Sequence, residues 1–146
     1  MVEYTQDPSG LINNRFLMPL SSMRSISIYL NFLREKGRIL SEINPGSDEI
    51  ALTVEDALQA LELIKDSKII ILGGDILSED NNELIYAYQL WGEEYHVLNW
   101  CCYRTSNESK DAYLKKSYDI AKESITNANE IAGKLKRKCF IVLVTE

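Results

Sequence analysis

With 146 residues, 45% of them hydrophobic and 26% charged, the chain is long enough for one domain with a real core and too short for a two-domain enzyme. Sixteen Lys and Arg against 22 Asp and Glu leave a net charge of -6, which argues against nucleic acid as a partner, since basic residues carry phosphate binding. The apolar runs IIIL (Ile69 to Leu72) and CFIVLV (Cys139 to Val144) fall far short of the ~20 residues of a membrane span, and MVEYTQDPSG lacks the character of a secretory signal, so no membrane partner and a cytoplasmic location are expected.

In chain order, residues 1 to 20 carry no clear periodicity. Met23, Ile26, Tyr29, Leu30 and Leu33 then follow helical spacing, with Ser21 or Ser22 as the candidate cap and Gly37 as the stop. After the turn-rich NPGSDEIAL, Thr53 opens TVED with a hydroxyl at the cap, and Val54, Ala57, Leu58, Leu61 and Ile64 form the core stripe of a helix ending near Ser67. KIIIL reads as a buried strand closed by Gly73 and Gly74. Beyond the turn-like SEDNNE, Leu84 to Trp91 and Tyr95 to Tyr103 alternate as two strands of a hairpin joined by Gly92, Glu93 and Glu94. Leu114, Tyr118, Ala121, Ile125, Ala128 and Ala132 step by four and three along a long helix that starts near Ser106 or Ser109 and runs towards Gly133. The basic KLKRK suits a helix end through the dipole, and CFIVLV is the last strand.

The expected fold is therefore α+β. A largely antiparallel sheet, a three-strand meander plus a C-terminal strand, is packed by the long helix and one or two shorter ones. Residues 1–37 form an N-terminal extension, partly helical, and residues 38–146 the α+β domain. Cys101, Cys102 and Cys139 are odd in number and lack the spacing of a disulfide framework or a zinc site, so buried free thiols and no metal or other cofactor are expected.

Charge is segregated along the chain. Residues 73 to 103 hold no Lys or Arg and six acids, Asp75, Glu79, Asp80, Glu83, Glu93 and Glu94, whereas residues 104 to 146 are net positive. His96 has no marked nucleophile, Gly73-Gly74-Asp75 lacks the rest of a phosphate-binding loop, and the acid pairs show no defined cleft, so no catalytic residue is assigned. Acids interleaved with Tyr86, Tyr88, Trp91, Tyr95 and Trp100 make better sense as a binding surface, with Trp100 and one of the strand tyrosines placed in the core.

ALTVEDAL at Ala51 to Leu58, LGGD at Leu72 to Asp75, the pair Asn99-Trp100, and a helix carrying Tyr113, Ser117 and Ala121 occur in an order and spacing that resembles the immunity protein 40 family of bacterial polymorphic-toxin systems, over about residues 38 to 144. The resemblance implies a stoichiometric inhibitor of a cognate toxin, without turnover. Gly73, Gly74, Asn99, Trp100, Tyr113 and Ser117 would then be motif or structural positions, and Asp75, Glu79, Asp80, Glu83, Tyr86, Trp91, Glu93 and Glu94 the partner-binding ones. If the toxin is a nuclease, these acids stand in for phosphate in its basic groove, with Trp91 or Tyr86 as anchor. The alternative expectation is a small-molecule or regulatory module, with a pocket between the last helix and the sheet and Asp75 and His96 near its mouth.

Overall fold

The computed structural model describes residues 20–146, and side chains from Met23 onward. Helix α1 (Leu20–Lys36) is followed by strand β1 (Arg38–Ile39), a single 3-10 turn at Leu40–Glu42, strand β2 (Ile50–Thr53) and helix α2 (Val54–Ser67). Next come β3 (Ile71–Asp80), β4 (Glu83–Tyr86), the short helix α3 (Ala87–Trp91), a 3-10 segment at Glu93–Leu98, β5 (Trp100–Cys101), helix α4 (Lys110–Leu135) and β6 (Phe140–Thr145). The strands form one sheet in the order β1-β2-β6-β3-β4, with β5 also on β3, and every pairing is antiparallel. The fold is α+β, as the patterning implies.

Both main helices obey their local signals. The Thr53 hydroxyl accepts the Asp56 N–H at 3.2 Å, and Ser109 accepts the Ala112 N–H at 3.1 Å, so each helix begins with a donor satisfied by its cap. Each ends on a left-handed lysine, Lys68 at φ 56° and Lys136 at φ 56°, whose N–H turns back to the last carbonyls. Helix α1 is already helical at Leu20, so Ser21 and Ser22 lie within the helix.

Two apolar clusters sandwich the sheet. On one face, Ala57, Leu61 and Ile64 of α2 and Ala121, Ile125 and Ala128 of α4 meet Ile71, Ile76 and Ile141 of the strands, and Tyr29 of α1 joins the same core at 3% exposure. Deep burial pushes the Tyr29 hydroxyl up to about 12. On the other face, among the described residues, Ala51, Leu77, Leu84, Phe140 and Val142 pack with Leu40 and Ile43 from the segment after β1 and with Tyr86. A β-bulge between Ile71 and Gly73 supplies the extra residue that brings Ile71 and Ile76 to the same, helix-covered side. The lower half of α4 buries Tyr113 and Ser117, one position before the Leu114 and Tyr118 of the simple stripe, which stay half-buried.

The central region departs from the expected hairpin. Gly73 and Gly74 do not close β3, which runs straight through them to Asp80. The hairpin is β3–β4, turning on Asn81 and Asn82 at φ 53° and 68°, the paired left-handed geometry of the tight turn that matches strand twist. Residues Ala87–Trp91 are helical and Glu93–Leu98 form a 3-10 segment, so Gly92 joins two helical pieces and the Leu84–Trp91/Tyr95–Tyr103 strand pair does not exist. Of the cysteines, Cys102 is buried, Cys139 half-buried and Cys101 exposed, all as free thiols; burial pushes the Cys139 thiol up to about 12. Among the described residues, no helix is long and apolar enough to cross a membrane.

Candidate functional site

Strand β3 is paired along one edge by β6, but along the other edge β4 stops at Leu77 and β5 covers only Gly73 and Gly74. In the gap, the Ile76 N–H is taken by the Asn99 side-chain oxygen at 2.8 Å, a substitute for the missing strand. Trp100, next in sequence, lays its ring where a Cβ on Gly74 would be, and its carbonyl oxygen stands where a Cβ on Gly73 would be. Tyr113 on α4 donates its hydroxyl to the Cys102 carbonyl at 2.7 Å, and the Ile71 N–H donates to Ser117 Oγ at 3.4 Å. Gly73, Gly74, Asn99, Trp100, Tyr113 and Ser117 therefore meet in one place and fasten β5 and α4 to β3.

Asp75 follows directly and has no such duty. In register with Val142 on the face away from α2 and α4, it is half-buried, and among the described residues no Lys or Arg lies within ion-pair distance of it. Burial holds its carboxyl above the ordinary value, an effect that the nearby His96 only partly offsets. Glu49, from the loop before β2, is raised in turn by its own burial, then by the charges of Asp75 and Asp48. Tyr86, raised chiefly by burial and next by Asp75 and Glu49, completes the group, and Tyr88 sits between it and His96, with ring centroids 6.0 Å from Tyr86 and 4.2 Å from His96. On the far side of Asp75 a cavity of about 370 Å³ is bordered by Gly73, Trp100, Val144 and Tyr103, the last exposed at 78%. His96 is not among its lining residues.

The other acids are distributed differently. Glu79 is held by Arg38 and, at 2.9 Å, by Lys138, and these two cations keep its carboxyl below the ordinary range. It is thus not an acid without counter-charge. Asp80 and Glu83 stand exposed at the hairpin tip, and Glu93 and Glu94 exposed on the 3-10 segment. Trp91 turns to the helix-side core, half-buried and packed edge-on against Tyr95 at 5.9 Å. Trp100 also packs against that core, while Tyr86 and Tyr88 are both half-buried. Sequence reasoning passed over Glu49; its one signal was the pair Asp48-Glu49 immediately before an apolar strand.

The sequence profile described as Immunity protein 40 matches residues 39–145, most of the chain. The chain belongs to the immunity protein 40 family. A member of that family is an immunity protein, acting against a toxin. The motifs that carry the resemblance, LGGD, Asn99-Trp100 and the Tyr113/Ser117 helix, are the contacting halves of the β3/β5/α4 junction. No curated protein and no solved structure matches the chain.

Proposed function

We propose that this immunity protein is a non-catalytic, stoichiometric inhibitor that seats its cognate toxin on the sheet face opposite α2 and α4, around Asp75. The observation that carries the reading is a half-buried carboxylate that, among the described residues, has no Lys or Arg within ion-pair distance, stands beside a second acid, Glu49, and is flanked by Tyr86 and Tyr103. A basic side chain of the toxin supplies the missing counter-charge, the tyrosines supply apolar contact that slows release, and the exposed Asp80, Glu83, Glu93 and Glu94 speed encounter. A toxin with a basic substrate groove, such as a nuclease, is the partner that fits this charge, and occlusion of that groove is the mechanism.

The test is capture from the producing cell with tagged protein, followed by mass identification and an activity assay of the partner. One toxin domain, recovered in equal amount and inactive until released, is the expected result. A partner that stays active in the complex, or that binds equally to a chain with Asp75→Asn and Tyr86→Ala, overturns the reading.

A further inference from the structure

Where the end of α2 meets the start of α4, a second cavity of about 280 Å³ lies away from the Asp75 face. Its floor is apolar: Ile64, Ile69, Leu114 and the ring of Tyr118. Its charged lining is three cations, Lys65, Lys68 and Lys115, against one acid, Asp119. In a chain of net charge -6 this positive excess is a local inversion.

The three ammonium groups are not equally occupied. Lys115 is held by Asp119 at 2.7 Å, which cancels one charge. Lys65 lies 5.1 Å from the centre of the Tyr118 ring, and among the described residues neither it nor Lys68 has a carboxylate within ion-pair distance. The Tyr118 hydroxyl donates to Glu62, so one further acid stands at the edge of the ring, and two ammonium groups without an ion pair overlook an apolar hollow near the small end of the range for ligand sites.

We propose that this cavity is a binding site for a small amphipathic monoanion, an aromatic or branched aliphatic carboxylate. The hydrocarbon body lies on Ile64, Ile69 and Leu114, and the carboxylate lies between Lys65 and Lys68. The site is independent of the toxin surface and stands or falls apart from it.

The direct test uses 1-naphthoate as the probe, titrated into the isotopically labelled full chain and followed by amide and methyl chemical shifts. Saturable one-to-one binding is expected, with the shifts centred on Ile64, Ile69, Leu114 and Tyr118. The neutral 1-naphthylmethanol should bind several-fold more weakly. Removing each lysine should weaken naphthoate by about threefold, and removing both by about tenfold. The variants are Lys65→Gln and Lys68→Gly; the second replaces a left-handed lysine by the residue best suited to φ 56°, so it removes the cation without harming the helix end. A double variant that melts no lower than the parent but loses naphthoate supports the site. Absence of saturable shifts, equal binding of the neutral alcohol, or unchanged affinity in the double variant overturns it.

Discussion

The oxygen of the Asn99 side chain accepts the backbone N–H of Ile76 at 2.8 Å, closing a gap in the sheet where neither β4 nor β5 reaches β3. An edge N–H this close to the core has no easy substitute. Replacing Asn99 by Ala should lower stability by about 1–2 kcal/mol, measured by urea denaturation, with unchanged denaturant dependence.

Gly74 and Trp100 are two halves of one contact. Gly74→Ala places a methyl group inside the indole ring, and overpacking of this kind costs about 1–3 kcal/mol. In a Trp100→Leu background the same change should cost less, and a double-mutant cycle should return a coupling of at least ~0.5 kcal/mol. Strict additivity would mean that the ring yields without resistance.

Asp75 and Glu79 are expected to respond to pH with opposite signs. Asp75 titrates above its ordinary 3.8 in the folded chain because burial disfavours its charge; its stabilising contribution is therefore present at acid pH and lost as pH rises through the raised value. Asp75→Asn should then stabilise the fold at pH 7, by no more than about 1 kcal/mol since the group is half-exposed, and the gain should vanish below about pH 4. Glu79 titrates below its ordinary 4.5, held down first by the hydrogen bond from Lys138 and also by Arg38. Its contribution is present above 4.5 and lost as pH falls through the lowered value, so Glu79→Gln should destabilise at pH 7 and become neutral in acid. Thermal melts of the two variants between pH 3 and 8 check both signs.

Tyr113→Phe removes only the hydroxyl that reaches the Cys102 carbonyl at 2.7 Å. The expected loss is about 1 kcal/mol, with faster amide exchange at Cys101 and Cys102, because β5 is only two residues long and rests on that bond.

The helices were legible in the sequence because caps and 3.6-residue spacing agree over 14 and 26 residues at α2 and α4. The middle of the chain was not. Gly73-Gly74 looks like a strand stop by composition, and only the distant Trp100 explains why glycines sit inside β3. Leu84 to Trp91 alternates as a strand does, yet only its first residues pair; a five-residue helix such as Ala87–Trp91 is too short to show a period. The true turn, Asn81-Asn82, was overshadowed by the Gly92-Glu93-Glu94 segment. In the site, Asp75 was visible from its motif, whereas its neighbour Glu49 comes from a loop 26 positions earlier, and the counter-charges of Glu79 lie 41 positions before it and 59 after it.

Stoichiometric inhibition through the Asp75 face has a simple titration signature. The most direct measurement is titration of a fixed amount of the captured toxin's activity with the parent chain and with the Asp75→Asn, Tyr86→Ala variant. A sharp break at one inhibitor per toxin is expected for the parent, and a shallow curve displaced by at least about tenfold for the variant, with its fold checked by an unchanged melt. Full inhibition well below one equivalent, or superimposable curves for the two proteins, would contradict it.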